Sequence, residues 1–211
     1  MQDYQFIAPF YDVLLGPFMR SIRRDVLRIV HRLQPENVLD VACGTGDQLR
    51  LLAESNIDAV GVDMSPAMLN ICRKANPAAD CLLQDATAMA FQDSRFALAM
   101  ISFALHETGW EAAGGILEEI YRVLKPTGHL LIVDYSDFRK TPFFVKQAIR
   151  MIEFMAGIRH FKNFSTYHLK GGLTTLVSEN RFHPVATTCR ASHSIVIRLF
   201  HRVDPMVSHC N

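Results

Sequence analysis

Short apolar runs alternate with segments of helical periodicity through the middle of the chain, and this alternation limits the fold more than any other feature of the sequence. The predicted strands are residues 37–42, 58–63, 80–84, 96–103 and 128–134, and the predicted helices between them are residues 46–55, 65–75 and 111–125. Strands that are connected by helices lie parallel, because each connection has to cross back over the sheet. The pattern therefore predicts an α/β protein with helices on both faces of a mostly parallel sheet.

Further segments flank this predicted core. A helix at about 17–33 carries apolar residues on one face and a row of arginines, Arg20, Arg24, Arg28 and Arg32, on another. After the fifth strand, residues 141–161 and 168–180 have helical patterns, and residues 183–190 and 192–201 predict a closing antiparallel pair. The 211 residues suffice for one domain. We expect a single domain (1–211) with an N-terminal helical cap (1–35), a cofactor-binding core (36–135), a variable helical cover (136–181) and a closing strand pair (182–202).

Composition argues against several classes of protein. A formal net charge of +1 is not typical of a nucleic-acid binder. The most apolar run, residues 96–105, is about half as long as a membrane-spanning helix, so we expect a soluble protein. The five cysteines are scattered, without a CxxC pair or zinc-like spacing. We therefore expect reduced thiols, no metal site and a cytoplasmic location.

The turn after the first strand, DVACGTG, contains Gly44 and Gly46, where the backbone can approach a ligand closely. The glycines alone leave open a nicotinamide dinucleotide, S-adenosylmethionine or a plain structural turn. Asp40 favours the second of these. A carboxylate at that position would repel the pyrophosphate of a dinucleotide, whereas it suits the amino group and the sulfonium of S-adenosylmethionine.

Two further acids end the next two predicted strands. Asp63 ends the second strand, where its carboxylate can accept hydrogen bonds from both ribose hydroxyls. Asp85 ends the third, where it can accept a hydrogen bond from the adenine amino group while the amide of Ala86 donates one to a ring nitrogen. A lone acid at a strand end often only caps the next helix. Three acids at successive strand ends are a much more specific signal for a nucleoside ligand.

Four segments of the chain resemble a known family. VLDVACGTG, VGVDMSPAMLNICRK, LLQDATAMAF and EIYRVLKPTGHLLIVDY are similar to the ordered signatures of class I S-adenosylmethionine-dependent methyltransferases, and they span about residues 37–135. With the entry segment FIAPFYDVLLGPF, they are most similar to the branch that contains the ubiquinone and menaquinone C-methyltransferases. The resemblance implies a Rossmann-like, seven-stranded, mostly parallel sheet with an antiparallel last strand and a helical cover over the active site. It fades after residue 136.

The resemblance also implies roles for individual residues. It places the methionine part of the cofactor at Asp40, Ala42, Gly44 and Gly46. It places the ribose at Asp63, the adenine at Met64, Asp85 and Ala86, the methyl group at Ser102, and Tyr11 over the cofactor. S-adenosylmethionine is the implied cofactor, and S-adenosylhomocysteine is the product.

Catalytic residues are predicted at the ends of the fourth and fifth strands. Methyl transfer mainly needs an acceptor that is aligned with the methyl group, so a base is not required. His106 is the candidate if a base exists, and the alternative is a histidine that is hydrogen-bonded within its loop. Asp134 and Tyr135 are candidates for lining the acceptor pocket, with Tyr167 and His168 entering from the cover. The alternative for Asp134 is a capping or pairing role.

The acceptor is predicted from the cover segment, whose phenylalanines and methionines suit a small, lipophilic, quinone-like substrate. Alternatively, that helix only buries its apolar face on the domain. Other functions stay open: a non-catalytic cofactor-binding or regulatory protein, an enzyme for another small molecule, a phospholipid or a metalloid, and a nicotinamide oxidoreductase. We predict no nucleic-acid partner. The arginine row either contacts an anionic membrane or is a solvated face, and monomer and homodimer are both open.

Overall fold

The computed structural model describes residues 8–77 and 79–203, with side chains described from Met19 onward. The helices are α1 (Ala8–Leu33), α2 (Asp47–Glu54), α3 (Pro66–Ala75), α4 (Leu105–Thr108), α5 (Trp110–Val123), α6 (Phe143–Met155), α7 (Ile158–Leu169) and α8 (Gly172–Ser178). The strands are β1 (Val38–Val41), β2 (Ala59–Asp63), β3 (Asp80–Leu83), β4 (Phe96–Ser102), β5 (Leu124–Tyr135), β6 (Phe182–Arg190) and β7 (Ile195–Arg202).

The strands form one seven-stranded sheet in the order β3-β2-β1-β4-β5-β7-β6. Strands β1 to β5 pair in parallel, and β7 runs antiparallel to both β5 and β6. The predicted fold is therefore confirmed, including its antiparallel last strand. The strand order reverses between β1 and β4, and open α/β sheets bind ligands at the carboxyl ends of the strands beside such a reversal.

Helices cover both faces of the sheet, because successive side chains of a strand point to opposite sides. Leu39 packs in one apolar cluster with Leu117 and Ile120 of α5. Its neighbour Val38 packs in a second cluster with Val26 of α1. All five of these leucine, isoleucine and valine side chains are almost completely buried. Burying such a side chain contributes roughly 1.5–3 kcal/mol relative to leaving it exposed.

The helix that follows β2 begins as its sequence predicts. The Ser65 hydroxyl accepts a hydrogen bond from the amide of Met68, and Pro66 is the first residue of α3. The serine satisfies an amide that has no partner within the helix, and proline suits a first turn, where its missing N–H costs nothing. Because β1 and β2 are parallel, the end of β2 lies at the same edge of the sheet as the glycine turn.

The arginine row of α1 is partly used in ion pairs. Arg28 lies 2.5 Å from Asp25, which also pairs with Arg190 at 2.7 Å. Arg23, on another face of the helix, lies 2.9 Å from Asp47 at the start of α2. In the part of the chain that the structure describes, no helix combines the length and the apolarity needed to cross a bilayer.

Three elements differ from the sequence-based prediction. The predicted helix at 141–161 is two helices, since α6 ends at Met155 and α7 begins at Ile158. The short helix α4 was not predicted, and β5 already begins at Leu124. Apolar residues continue from α6 into α7 and from α5 into β5, so their periodicity identifies the elements without marking where one ends.

The expectation of reduced thiols is wrong for two cysteines. Cys72 of α3 and Cys81 of β3 form a disulfide. The reason is that α3 and β3 are consecutive elements that pack together, which brings two residues nine positions apart into contact. Cys43 and Cys189 are free, and Cys210 lies outside the described residues. Among the residues with described positions, no group of three or more potential metal ligands is present.

Candidate active site

The turn between β1 and α2 presents bare backbone at the carboxyl edge of the sheet. The amide of Cys43 donates to the carbonyl of Val62 in β2, and the amide of Gly46 donates back to the carbonyl of Cys43, each at 3.0 Å. A Cβ atom on Gly46 would lie 2.4 Å from the sulfur of Cys72, so no larger residue fits there. A Cβ atom on Gly44 would meet no atom within 4 Å. The open side of the turn is therefore at Gly44.

Asp63 joins this turn to the end of β2. One carboxylate oxygen accepts a hydrogen bond from the amide of Gly44 at 2.9 Å, and the other accepts from the amide of Ser65 at 2.8 Å. Each oxygen of a carboxylate has a further lone pair, so both can still accept a hydrogen bond from a hydroxyl group. The structure thus brings together Asp63 and Gly44, which were predicted to bind two different parts of one ligand.

Asp40 lies beside them and is only 4% exposed. Burial, and next the negative charge of Asp63, raise its pKa to about 8, while the positive charge of Arg23 acts in the opposite direction. Two neighbouring carboxylates in a buried place favour a ligand group that carries positive charge. The amino group and the sulfonium of S-adenosylmethionine have that charge, so the residues present fit this cofactor.

The thiol of Cys43 is not an activated nucleophile. Burial is the main cause that raises its pKa, and the charges of Asp40 and Asp63 raise it further. A thiol becomes reactive when positive surroundings lower its pKa, which is the opposite situation. The cysteine in the glycine turn therefore stays protonated and is a packing residue.

The predicted adenine residues lie further along the same edge. The amide of Gln84 donates to the carbonyl of Asp63 at 3.2 Å, which places the segment after β3 next to the end of β2. One carboxylate oxygen of Asp85 accepts hydrogen bonds from the amide and the hydroxyl of Thr87, and these bonds lower the pKa of the exposed Asp85. Asp85 therefore caps its own loop, the alternative that its sequence position left open, while its carboxylate stays accessible at this edge.

The remaining predicted cofactor residues differ in how well they are placed. Met64 is 57% exposed directly after β2, and Ala86 is partly buried against the main core. Ser102 is the last residue of β4, next to β1 in the sheet. Tyr11 lies in α1 within the part whose side chains are not described, so its role stays a prediction.

His106 lies in a buried polar cluster at the ends of β4 and β5. Its Nδ1 atom is 2.7 Å from Oδ1 of Asp134, and its Nε2 atom is 3.8 Å from Oε1 of Glu153. The hydroxyl of Tyr135 donates to the same oxygen of Glu153 at 2.8 Å. His160 of α7 lies 3.5 Å from Glu153 and 3.1 Å from Glu107. This cluster connects two strand ends to the helices α6 and α7.

The histidines of the site differ in protonation. Burial lowers the pKa of His106, but the charges of Asp134 and Glu153 outweigh it and raise the pKa to about 9. Hydrogen bonds to Glu107 and Glu153 likewise raise the pKa of His160 to about 9. His168 behaves in the opposite way, because burial and then the charge of His106 lower its pKa to about 4. At neutral pH the first two rings are therefore cationic, and His168 is neutral.

Aromatic rings surround this cluster and include both residues predicted to enter from the cover. His168 stacks on Phe138 with ring centroids 4.3 Å apart, and Phe164 lies 4.6 Å from His168. Tyr135 lies 4.7 Å from His106, and Tyr167 lies 6.4 Å from it. The predicted acceptor residues Tyr135, Tyr167 and His168 thus lie in one aromatic cluster with His106. Among the described residues, Nε2 of His168 has no hydrogen-bond partner.

The sequence analysis missed Glu153, His160 and Glu107. Glu153 is 4% exposed and stands at the centre of the cluster, where it faces two histidines and a tyrosine. A signal was present, because Glu153 is the single acid in the sequence between residues 138 and 178. An isolated acid in an apolar helix needs a polar partner, because a buried unpaired charge is very costly.

The chain is similar to known methyltransferases. A family model described as a methyltransferase domain matches residues 38–128. A demethylmenaquinone methyltransferase of Renibacterium salmoninarum is 36% identical over 65% of this chain and 59% of its own length. One of Thermus thermophilus is 33% identical over 76% of this chain and 78% of its own length. A solved structure of an S-adenosylmethionine-dependent methyltransferase from Methanosarcina mazei, 18% identical, has a TM-score of 0.66 over 83% of this chain and 97% of that one.

Coverage differs among these relatives. The chain spans 52–59% of the length of three demethylmenaquinone methyltransferases that it matches at 34–36% identity. It spans more than two thirds of the Thermus protein at one-third identity. That relative, the domain match and the acidic strand ends around the glycine turn together show that the chain belongs to the class I S-adenosylmethionine-dependent methyltransferases.

Proposed function

We propose that the protein transfers a methyl group from S-adenosylmethionine to a small, lipophilic, quinone-like acceptor. The observation that carries this proposal is the buried cluster of aromatic rings and histidines at the ends of β4 and β5, at the same edge of the sheet as the glycine turn. Flat aromatic surfaces suit a planar ring, and a few buried polar groups can orient its oxygens. The names of the relatives, demethylmenaquinone methyltransferases, agree with a ring of this kind.

In this proposal, the ends of β1 and β2 hold the cofactor. Asp40 attracts the amino group, the amide backbone at Gly44 approaches the methionine part, and Asp63 accepts the ribose hydroxyls. Met64, Asp85 and Ala86 form the adenine end, with Ser102 near the methyl group. When bound, S-adenosylmethionine supplies a methyl group that its positive sulfur has already activated.

The polar cluster handles the proton of the acceptor. Methylation of a carbon or oxygen on a phenolic ring is faster when the hydroxyl proton leaves, because the ring then becomes a better nucleophile. We propose His106 as the group that takes this proton, with Asp134 fixing the orientation of its ring. Because its pKa is about 9, the neutral form that can act as a base becomes more abundant as the pH rises toward that value.

The test is methyl transfer from labelled S-adenosylmethionine to reduced demethylmenaquinone, compared with other phenolic acceptors and with phospholipids. We expect label in the quinone fraction, and no label when the variant Asp40→Ala is used. Tight cofactor binding without transfer to any acceptor would instead indicate a non-catalytic binding protein. Label in phospholipid alone would move the proposal to a lipid acceptor.

The organisation and location of the protein are part of the same proposal. The single domain has α1 as its cap and residues 136–181 as the substrate cover, and it works on its small-molecule substrate in the cytoplasm. Size-exclusion chromatography with light scattering distinguishes the monomer from the homodimer. Membership of the methyltransferase family excludes the nicotinamide oxidoreductase, which the glycine turn alone had left open.

A further inference from the structure

The outer side of the cover helices α6 and α7 is apolar and exposed. Its large apolar side chains in water are Phe143, Phe144, Met151, Phe154, Met155, Ile158 and Leu169. Phe144 is 84% exposed and Met151 is 66% exposed. The ring of Phe154 in α6 lies 5.7 Å from that of Phe161 in α7, so the apolar surface continues from one helix to the next. Exposed apolar surface of this kind marks a site of interaction, because water contact with it is unfavourable.

The same segment is strongly basic. Residues 138–178 contain seven lysines and arginines, and Glu153 is the single acid among them. Glu153 points inward and is buried in the histidine cluster. The cations are Arg139, Lys140, Lys146, Arg150, Arg159, Lys162 and Lys170, and Arg139 pairs with Asp137 at 3.2 Å. The whole cover, residues 136–181, adds Arg181 and the acids Asp137 and Glu179, so it has eight cations and three acids. Its net charge is therefore +5, whereas the whole chain has a formal charge of only +1.

We propose that this exposed face of α6 and α7 is a docking surface for a bilayer that contains anionic phospholipids. Phenylalanine, methionine and leucine side chains surrounded by lysine and arginine are typical of helices that lie in the membrane interface. The thirteen residues of α6 extend about 20 Å, which is enough to lie on a bilayer and too short to cross it. The cations meet lipid phosphates while the apolar side chains enter the acyl boundary.

Charge complementarity favours the bilayer over a second copy of the chain. In a two-fold dimer built on this face, the cations of one copy would meet the cations of the other without an exposed acid from the segment to offset them. The arginine row of α1 is a weaker candidate for the same partner. Among the described side chains of α1, none is a large exposed apolar residue, whereas α6 and α7 carry seven.

The docking surface and the candidate acceptor site belong to the same helices. Glu153, Phe164 and Tyr167 lie on their inner side and are buried. A docked bilayer therefore covers the outside of the wall whose inside lines the aromatic cluster. The inference does not depend on the identity of the acceptor, since binding to vesicles needs neither substrate nor turnover.

The experiment is co-sedimentation of the whole chain with vesicles of phosphatidylcholine, with and without phosphatidylglycerol, at low and high salt. We expect binding to the vesicles with phosphatidylglycerol and weaker binding at high salt. Phe144→Ser with Met151→Ser should weaken it more than about tenfold, as should Arg159→Glu with Lys162→Glu. Far-UV circular dichroism and cofactor affinity should stay unchanged, because all four side chains are exposed.

Arg24→Glu with Arg32→Glu is the matched control, since it makes the same change of charge on exposed positions of α1. We expect it to change vesicle binding less than about twofold. No binding of the native chain at low salt, or an equal loss in the control, overturns the proposal. So does a dimer that Phe144→Ser with Met151→Ser dissociates, without vesicle binding, because it assigns the face to a second copy.

Discussion

The two halves of the carboxyl edge are built in different ways. On the side of β1, β2 and β3, a few consecutive residues after each strand form the site, and they are held by backbone amides, as between Gly44 and Asp63. On the side of β4 and β5, the site consists of side chains from four separate segments that meet in the buried cluster around Glu153. The first arrangement suits a ligand that stays the same throughout a family, and the second suits one that changes.

This difference has a physical basis in how each half tolerates substitution. Backbone amides are present whatever the side chain is, so the half at β1, β2 and β3, called the donor half after the proposed methyl donor, depends on a few acids and glycines. The half at β4 and β5, called the acceptor half after the proposed methyl acceptor, depends on side chains. Replacing one of these side chains leaves its buried partners unsatisfied. The two halves should therefore be separable by mutation.

The largest expected effect is on the acceptor half. His106→Gln should lower kcat by about a hundredfold to a thousandfold, because it removes the group proposed to take the proton. The dissociation constant of S-adenosylmethionine, measured by calorimetry, should stay within about threefold, since no contact joins His106 to the glycine turn in this proposal.

His160→Gln is the matched control for that variant. His160 shares Glu153 with His106 and has a similarly raised pKa, but its other partner is Glu107 rather than Asp134. We expect a loss of less than about tenfold in kcat. If both variants lose activity equally, the cluster only holds the cover in place, and the catalytic role of His106 is wrong.

The next effect is on the donor half. Asp63→Ala removes the acceptor of two amide hydrogen bonds and the proposed ribose contact, so S-adenosylmethionine should bind about a hundredfold more weakly. Asp85→Ala should cost less than about tenfold, because that carboxylate is exposed and bonded to its own loop. Equal losses in the two variants would mean that Asp63 acts only through the shape of the turn.

A third prediction concerns pH. Asp40 has a pKa of about 8, and only its ionised form attracts a cation. The affinity for S-adenosylmethionine should therefore fall by up to about tenfold for each pH unit below about 8. Asp40→Asn should abolish this slope.

A fourth prediction concerns the dependence of kcat on pH, measured with saturating cofactor. There, kcat should keep rising toward about pH 9, where His106 loses its proton. A flat profile of kcat between about pH 6 and 9 would contradict His106 as a base. Only the affinity for the cofactor, and not kcat, would then depend on pH.

A separate effect, on stability rather than on function, is expected within the glycine turn. Gly46→Ala should lower the free energy of unfolding by about 2–3 kcal/mol, since the new Cβ atom meets the sulfur of Cys72. Gly44→Ala should cost about 1 kcal/mol, because it meets no atom and only its positive φ opposes the change. Thermal denaturation of both variants checks this order, and the reverse order would contradict the packing at Gly46.

The sequence predicted the sheet and the strand ends at which Asp40, Asp63 and Asp85 lie, because both depend on local patterns. Asp40, Asp63 and Asp85 end strands that are visible as apolar runs, and parallel strands bring their ends to one edge. The cluster around His106 was predicted only in part. His106 and Tyr135 follow the same rule, but Glu153 meets them only because α6 folds back over the edge. The disulfide between Cys72 and Cys81 likewise depends on how α3 packs against β3, which spacing does not indicate.

The reversed direction of β7 has a consequence for the diversity of such enzymes. Because β7 runs against its neighbours, the turn that enters it at residues 191–194 lies at the same edge as the ends of β4 and β5. The hydroxyls of Ser136 and Thr141 both donate to the carbonyl of His193 in this turn, which ties it to the start of the cover. With a parallel last strand, that turn would be on the far side of the molecule. The antiparallel ending thus gives evolution an additional loop that can lengthen toward a new acceptor while the cofactor residues stay untouched.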